Sequence, residues 1–479
     1  MNSPAHGATS PAAASPAGRS PWVWIPSLYF GQAIPYVVVM TLSVVLYKRM
    51  GVSNTDIALY TSWLYLPWVI KPLWSPLVDL FGRKGGWVVW LQLGVGVALA
   101  SVALVLPVPG FFQMTLAVFW LMAFASATHD IAADGFYMLA LKTGQQAAFV
   151  GVRSTFYRLA MMAGQGGLVY LAGQLEEQLG SVVRAWQIVF VALGVGFAVL
   201  ALWHRLVLPR PAVDGPVRGR MTGQVDDQVG AVTAAGRSPV AQHLREFVTV
   251  FVAFFRRPDI GLVLAFLLLF RLGEAQLLKL AAPFMLDAAA QGGLGLSTSQ
   301  VGIVYGMVGV GALTLGGLLG GWVISRIGLK RALLPLMVAV HLPNLLYVGL
   351  AMALPQDLWV AAAAVAVEQF GYGFGFTAYL MFMIWVARGP AADADQANPH
   401  QTAHYAICTG FMALGMMLPG MWSGWLQDWL GYTTFFVWVT VATVPSLVVA
   451  TLLKLPADFG RAEDALPPAM PWLDALPVA

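Results

Sequence analysis

The sequence is built from apolar runs of about 20 residues or more, the length that a helix needs to cross the roughly 30 Å hydrocarbon core of a bilayer. Six such runs precede a polar interval and six follow it. With 59% hydrophobic and only 10% charged residues, the composition also lies outside the range of ordinary soluble domains. We therefore predict an all-α integral membrane protein with twelve transmembrane helices in two bundles of six. The predicted spans are 22–47, 54–80, 86–107, 111–141, 148–173, 183–208, 259–287, 298–326, 331–353, 357–387, 402–426 and 432–454.

The spans divide the chain into five regions. Residues 1–20 are rich in Ala, Pro and Ser and have no apolar core, so they are predicted to be a disordered tail and not a signal peptide. Two interpretations of residues 240–257 stay open: a helix along the membrane surface, or an extension of the seventh span. The predicted regions are the N-terminal tail (1–20), the first bundle (21–208), a cytoplasmic linker (209–257), the second bundle (258–455) and the C-terminal tail (456–479).

The distribution of basic residues predicts the orientation. Of 26 lysines and arginines, only Lys48, Arg49 and Arg184 fall in loops that would be periplasmic if both termini were cytoplasmic. This asymmetry follows the positive-inside rule, with Lys48 and Arg49 as exceptions. The net charge of +4 comes with no basic stripe interleaved with aromatic residues, so no nucleic-acid partner is expected. The single Cys408 offers neither an intrachain disulfide nor a zinc set, and no metal is expected.

Charged residues inside the predicted spans give the main functional signal. A carboxylate facing lipid costs several kcal/mol, so these groups should face a hydrated interior. Asp130 and Asp134 are four residues apart and share one helix face. The four acids at depth are candidates for carrying a proton, although such charges can also pair only to specify packing, as Arg271 and Glu274 can along one helix. The acids at depth are Asp130, Asp134, Glu274 and Glu368, and the cations are Lys71, Arg153, Arg158, Arg271 and Lys279.

Several other residues in the spans have two possible roles. Tyrosines near the charges can stack on sugar rings or simply pack in the core. His129 can relay protons, contact a solute or hydrogen-bond Asp130. The G-Y-G-F-G sequence at 371–375 has nucleotide-loop spacing but no preceding strand, so close helix packing or a flexing point is favoured. The predicted solute-binding residues are Lys71, His129, Tyr157, Arg158, Arg271, Tyr372 and Tyr379.

A loop motif occurs after the second span of each half, at residues 75–84 and 320–331. In each copy a glycine permits a sharp turn and a basic cluster lies at the level of the lipid headgroups. The motif resembles the loop signature G-x-L-x-D-R-x-G-R-K of the major facilitator superfamily, with Leu80 in place of the Arg and Ser325 in place of the second Asp. The resemblance implies two bundles related by a pseudo-two-fold axis that rock around a central site. The residues predicted to form gating loops are Asp79, Gly82, Arg83 and Lys84 in the first copy and Arg326, Gly328, Lys330 and Arg331 in the second.

Five segments resemble AmpG-type muropeptide permeases and the related acetyl-CoA transporters; they are 69–79, 125–134, 157–161, 271–274 and 368–373. This family consists of inner-membrane importers of anhydromuropeptides that are driven by the proton gradient and need no cofactor. His129 replaces the family's usual Gln, and Arg271 and Glu274 stand where Lys and Asp are common. The resemblance implies that the transport-critical charges are Lys71, Asp130, Asp134, Arg158, Glu274 and Glu368.

The sequence therefore predicts a monomeric carrier in the bacterial inner membrane that imports a glycan or glycopeptide together with protons. A symporter for another oligosaccharide, a peptide or an acyl-carrier solute is the alternative within transport. An intramembrane acyltransferase is a weaker alternative. His129 and Asp134 give H-x-x-x-x-D instead of the usual H-x-x-x-D, and no other pair of a nucleophile and a base is evident.

Overall fold

The computed structural model describes residues 20–80, 82–141, 143–211, 214, 248–389 and 401–461. These residues form helices and short connections, and no strand occurs among them. The all-α prediction is confirmed. The predicted N-terminal tail, most of the 209–257 linker and the end of the C-terminal tail lie outside the described residues.

The first half contains six helices in chain order. They are α1 (Pro21–Arg49), α2 (Asn54–Trp63 and Leu66–Leu80), α3 (Lys84–Val105), α4 (Phe111–Ala140), α5 (143–179, with a π-helical turn at Ala163–Leu168) and α6 (Val182–Val207). The second half repeats this arrangement. Its helices are α7 (Ile260–Leu286), α8 (Thr298–Ile327), α9 (Leu329–Ala353), α10 (Leu358–Arg388), α11 (401–430) and α12 (432–452).

Nine helical segments of the described chain are long and apolar enough to cross a membrane. In that set α11 and α12 form one segment of 50 residues, which passes through the non-helical Gly431, with φ of 72°, and a turn at 442–443. The set omits α2, which Leu64 and Tyr65 divide into two shorter helices, and the polar α5. The exact number of twelve crossings stays a prediction.

Glycines allow the helices of the second half to pack closely. A Cβ atom at Gly373 of α10 would overlap the Leu313 carbonyl of α8, and one at Gly371 or Gly375 would overlap carbonyls of α9. The helix α10 continues without interruption through this segment. The packing role of the G-Y-G-F-G sequence is therefore confirmed, because only glycine permits this backbone approach.

The most extensive contacts between the two halves lie along two helix pairs. Helix α2 of the first half contacts α11, and α5 contacts α8. Glycines again permit the approach: Gly306 of α8 packs on the backbone of Gln165 and Gly166, and Gly424 of α11 packs on the backbone of Asn54. At the end of the predicted linker, residues 248–255 are helical and the Phe254 side chain is buried. Phe254 stacks edge-on against His404 of α11, so this end of the linker packs on the second half.

Candidate functional site

Asp130 points into the protein and not into lipid. It lies nine residues from Leu121, which is 69% exposed, and therefore on the opposite side of α4. Its Oδ2 accepts a hydrogen bond of 3.2 Å from the Trp68 indole and lies 3.5 Å from the Lys71 ammonium, both on α2. The predicted approach of cations from other helices is present at this position.

Asp134, one turn further along α4, has partners on two other helices. Its Oδ1 accepts hydrogen bonds from the Arg153 guanidinium of α5 at 2.9 Å and from the Tyr29 hydroxyl of α1 at 3.2 Å. The guanidinium carbon of Arg153 also lies over the rings of Tyr29 and Tyr137, at 4.5 and 5.3 Å from their centroids. The side chains of Asp134 and Arg153 are 40% and 31% exposed, so this ion pair is accessible.

In the second half, Arg271 and Glu274 form a buried ion pair along α7. One guanidinium nitrogen of Arg271 lies 3.0 Å from each carboxylate oxygen of Glu274 and donates to the Tyr372 hydroxyl of α10 at 2.9 Å. The two charged side chains are only 6% and 2% exposed. Arg271 stands at a break in the helix, between Ile260–Leu269 and Leu272–Leu286.

Glu368 is a buried acid without a cation partner in the described part of the chain. It is 2% exposed, and the Gln369 amide donates to its Oε2 at 3.0 Å. It lies nine residues from Trp359, which is 65% exposed, so it faces the interior side of α10.

Arg158 of α5 points across to the second half. Its guanidinium donates to the Thr314 carbonyl of α8 at 3.3 Å, and no acidic oxygen of the described residues lies within 4.0 Å. The neighbouring Tyr157 is half-buried and packs on the core of the first half. The guanidinium therefore keeps donors for a further group.

Most of these charges interact electrostatically with other members of the group, and Arg158 belongs with them by its position on α5 between the halves. Asp134 interacts with Asp130 and Lys71 as well as with Arg153. Tyr36 of α1 lies within electrostatic range of Asp130 and of the Arg271–Glu274 pair, and Tyr305 of α8 within range of Glu274 and Glu368. We call these groups the central charges: Lys71, Asp130, Asp134, Arg153, Arg158, Arg271, Glu274 and Glu368.

His129 does not join the central charges. Its Nε2 lies 3.1 Å from the Gln92 amide nitrogen of α3, and the Gln92 oxygen lies 2.8 Å from Nδ1 of His204 on α6. The ring is buried among these helices. In this conformation His129 lies against Gln92 and not Asp130, so the hydrogen bond to Asp130 is wrong. Contact between His129 and a solute stays a prediction.

Tyr379 also belongs to the core. Its ring is fully buried and stacks on Phe270 with centroids 4.4 Å apart, and its hydroxyl donates to the Leu267 carbonyl at 2.7 Å. In this conformation Tyr379 has the core packing that was the alternative to stacking on a sugar ring, and its stacking on a solute stays a prediction.

The two predicted gating loops turn at glycines. Gly82 and Gly328 have φ of 80° and 77°, which a side chain would strain. Arg326 lies over the Trp322 ring at 5.6 Å, whereas Lys330 and Arg331 lie in the first turn of α9. The side chain of Asp79 lies outside the described residues.

Each loop also has a contact that the sequence did not reveal. Asp214, after α6, accepts hydrogen bonds from the backbone N–H of Lys84 at 2.7 Å and of Gly85 at 3.0 Å, so it caps the start of α3, directly after Arg83. In the second loop the Leu329 N–H donates to the carbonyl of Phe459 in the C-terminal tail at 2.8 Å. Segments distant in sequence thus hold both loops.

The sequence did not reveal a polar cluster that joins the halves at the predicted periplasmic end. Asp287, after α7, lies 2.5 Å from the Lys48 ammonium of α1 and accepts a 2.6 Å hydrogen bond from the Tyr432 hydroxyl. The Asn54 amide donates to Gln427 at 2.7 Å and to Asp287 at 3.3 Å. We call these five residues the outer seal.

Arg49, the second exception to the positive-inside rule, is also paired. Its guanidinium donates to Glu176 of α5 at 2.9 Å, and the same carboxylate oxygen accepts a 2.8 Å hydrogen bond from Thr298 of α8. Lys48 and Arg49 therefore have structural partners at this end of the molecule, which accounts for their position. Within the described chain, no group of three or more His, Cys, Asp or Glu residues is placed to hold a metal ion.

Comparison with known proteins identifies related transporters. The chain is 25% identical over 428 residues to the anhydromuropeptide permease of Escherichia coli (strain K12), a match that covers 87% of this chain and 76% of the relative. It is 23% identical over 435 residues to the putative transporter AmpG 4 of Rickettsia conorii, covering 88% and 93% of the two chains.

Solved structures share the fold. The nucleoside transporter NupG superposes with a TM-score of 0.63 at 14% identity, over 91% of this chain and 99% of that protein. A bacterial homologue of the human lysosomal transporter Spinster, in an inward-facing and unoccupied conformation, gives a TM-score of 0.60 at 14% identity, over 93% and 98%.

The relatives are carriers, in agreement with the expectation that the chain is not an enzyme. The sequence model described as Major Facilitator Superfamily matches residues 27–398, most of the chain. The chain is therefore a multi-pass membrane transporter that belongs to the Major Facilitator Superfamily.

Proposed function

We propose that this transporter imports an anhydromuropeptide-type glycan across the inner membrane together with protons, by alternating access. The observation that carries the proposal is the set of central charges, contributed by both halves and turned away from lipid on α4 and α10. Similarity to the E. coli anhydromuropeptide permease supports the choice of solute. The energy source is the proton gradient, and no cofactor takes part.

Protonation of a central acid would release its cation partner. We place Asp130 first among the four acids, because its ion pair with Lys71 is the longest, at 3.5 Å, against 2.9 Å for Asp134 with Arg153. A proton taken up from the periplasmic side neutralises the Asp130 carboxylate and frees the Lys71 ammonium. The same proton leaves to the cytoplasm when the ion pair forms again. Glu274 and Glu368, which are more deeply buried, are the next candidates.

The solute would bind between the halves, beside Lys71, Arg158 and Tyr157. Arg158 is the best placed of the cations, since its guanidinium donates to the Thr314 carbonyl and reaches from α5 toward α8. A guanidinium binds carboxylates strongly, and peptides carry carboxylates. In the second half, the Arg271 guanidinium donates to the Tyr372 hydroxyl at 2.9 Å, and the two side chains form an amphipathic surface.

The outer seal supports alternating access in a single copy of the chain. With both termini cytoplasmic, the seal closes the periplasmic end, while the Asp134–Arg153 pair stays accessible. This arrangement corresponds to an inward-facing state. The return to an outward-facing state requires the seal to separate.

Transport by purified protein in proteoliposomes tests the coupling. We expect uptake of radiolabelled anhydromuropeptide to require an inwardly directed proton gradient and to collapse when an uncoupler is added. Liposomes without protein provide the background. Uptake by the protein that an uncoupler leaves unchanged would refute proton symport.

Competition identifies the solute class. Uptake should be reduced by excess unlabelled anhydromuropeptide and much less by chitobiose or acetyl-CoA. Stronger competition by chitobiose would favour a symporter for another oligosaccharide. Stronger competition by acetyl-CoA would favour an acyl-carrier solute, and either result would replace the proposed solute.

A further inference from the structure

Lys279 of α7 is a buried cation that the central charges do not include. It lies eight residues after Arg271 and eight before Asp287, which is about 12 Å along the helix from each. Its side chain is 5% exposed. Lys279 therefore stands midway between the central charges and the outer seal.

The partners of Lys279 are uncharged and belong to the other half. Its ammonium donates to the Thr61 hydroxyl of α2 at 2.9 Å and lies 5.5 Å from the centroid of the Tyr65 ring. No carboxylate of the described residues lies within 4.0 Å of it. An ammonium has three donors, and a buried charge without a counter-charge is costly, so this position is not explained by packing.

A polar group without a hydrogen-bond partner among the described residues lies beside Lys279. Ser62, next to Thr61, is fully buried, and its hydroxyl has no hydrogen-bond partner in the described structure. A Cβ atom added to Gly420 of α11 would lie 2.6 Å from the Ser62 hydroxyl and 3.6 Å from Cε of Lys279. The lysine and the serine thus border the same glycine. Buried polar groups normally have partners, so the Ser62 hydroxyl and the remaining donors of Lys279 together offer hydrogen bonds to a polar ligand.

We infer that Lys279 and Ser62, with Thr61 positioning the lysine, form an entry site for a carboxylate of the solute in the outward-facing state; this rests on the proposed function. The three residues come from opposite halves, so separation of the outer seal opens a gap between them. A carboxylate that enters this gap accepts hydrogen bonds from the Lys279 ammonium and from the Ser62 hydroxyl, while the Thr61 hydroxyl keeps donating to the Ile57 carbonyl. A neutral solute leaves the same donors unsatisfied.

The entry site also gives closure a role in moving the solute. When the halves close, Lys279 returns to Thr61, and the space for the carboxylate disappears. The next cations along the path of the displaced anion are Lys71, Arg158 and Arg271. Arg271 lies about 12 Å from Lys279 along α7. The site therefore selects anionic solutes at entry without retaining them.

The test compares an anhydromuropeptide with its fully amidated, neutral analogue in proteoliposomes. For Lys279→Gln we expect the KM of the anionic solute to rise at least about tenfold, since a charge-assisted hydrogen bond is lost. Uptake of the neutral analogue should change less than about twofold, because it makes no such bond. Lys279→Arg should keep most of the preference for the anionic solute.

Two further variants separate binding from folding. Ser62→Ala should weaken uptake of the anionic solute while thermal stability is unchanged, because the hydroxyl has no partner to lose. Lys454→Gln, at an exposed position after α12, is the matched control and should behave as wild type. Equal losses for both solutes together with a lower Tm in Lys279→Gln would make Lys279 a structural residue and overturn the site.

If wild-type protein fails to transport the anhydromuropeptide, the proposed function is refuted, but the entry site is not. A labelling experiment then tests the entry site separately. N-acetylmuramate carries a carboxylate that N-acetylglucosamine lacks. The former should slow the reaction of Lys279 with an amine-directed reagent, measured by mass spectrometry of its peptide, at least about threefold more than the latter. Equal protection by both sugars, or none, would overturn the entry site.

Discussion

Asp130 and Asp134 share a face of α4 but are held differently. Asp134 accepts hydrogen bonds at 2.9 and 3.2 Å from Arg153 and Tyr29, whereas Asp130 lies 3.5 Å from Lys71 and accepts a hydrogen bond from Trp68. A guanidinium binds a carboxylate more rigidly than an ammonium does. Asp134 is therefore suited to fixing α4 against α1 and α5, and Asp130 is suited to exchanging a proton.

Replacement of Asp130 by asparagine tests this division. Asn cannot take up a proton but keeps the size of the side chain, so Asp130→Asn should abolish proton-driven accumulation in proteoliposomes. Solute exchange between the two sides, which needs no net proton movement, should be reduced by less than about tenfold, the loss of one modest interaction. Radiolabelled uptake and counterflow measure the two activities.

Asp458→Asn is the control for loss of a carboxylate, because Asp458 is 84% exposed and lies outside the helices. It should leave both activities at the wild-type level. If Asp130→Asn keeps full accumulation, Asp130 does not carry the coupling proton. If accumulation and exchange fall by the same factor, Asp130 acts in binding.

Some residues of the candidate site can be recognised from the sequence alone, whereas others depend on how the helices pack. A charge inside an apolar run is visible in the sequence, and Lys71, Asp130, Arg271 and Glu274 were found in this way. The core contacts of His129 and Tyr379 were not evident in the sequence, because they depend on the rotation of each helix, which is set by packing. The outer seal was missed because its partners lie far apart in the chain, for example 233 residues for Asn54 and Asp287.

At the scale of single helices, apolar runs predict the centre of a helix better than its ends. Helix α4 was predicted at 111–141 and is observed at Phe111–Ala140. Helix α5 was predicted at 148–173 but extends over 143–179, because polar residues such as Gln146 and Glu176 continue it beyond the apolar run. Hydropathy reports the hydrocarbon core and not the full length of a helix.

The glycines of α10 give a prediction about packing. Gly373→Ala places a methyl group against the Leu313 carbonyl of α8, so the two helices must move apart. We expect a loss of stability of about 1–3 kcal/mol, the usual effect of overpacking. A lower Tm in detergent, followed by tryptophan fluorescence, would show it. Gly349→Ala on α9 is the matched control, since no neighbouring atom lies within 4 Å of the added Cβ.

An equal Tm for Gly373→Ala and Gly349→Ala would contradict the close approach of α8 and α10. Measurements of solute uptake distinguish a packing role from a flexing point, the other role considered for residues 371–375. Alanine favours the helix more than glycine does. A variant that is fully stable but transports slowly would therefore favour a flexing point.

At the scale of the whole molecule, the contacts between the halves are polar at the predicted periplasmic end. The outer seal joins α1 and α2 to α7, α11 and α12 through one ion pair and several hydrogen bonds. Glycine contacts between α5 and α8 and between α2 and α11 let the helices approach closely around it. Polar contacts at a hydrated end can be exchanged for water, so this end can open at moderate cost.

Weakening the seal should shift the molecule toward the outward-facing state. Asp287→Asn removes the ion pair with Lys48 and weakens the hydrogen bond from Tyr432. A loss of about 1.4 kcal/mol would change the ratio of closed to open molecules about tenfold. Spin labels at Gln178→Cys and Gln356→Cys, two exposed positions at this end of opposite halves, would report the opening as a longer distance. The buried Cys408 is replaced by alanine in all variants.

Asp259→Asn is the control for this measurement, because Asp259 pairs with Arg257 at the opposite end of α7. It should leave the distance distribution unchanged. The exchange of charges in Lys48→Asp with Asp287→Lys should restore the shorter distance, since the ion pair can form again in reverse. Distances that stay short in Asp287→Asn would show that the seal does not hold the closed state, and closure would then depend on the glycine contacts of α5 with α8 and α2 with α11.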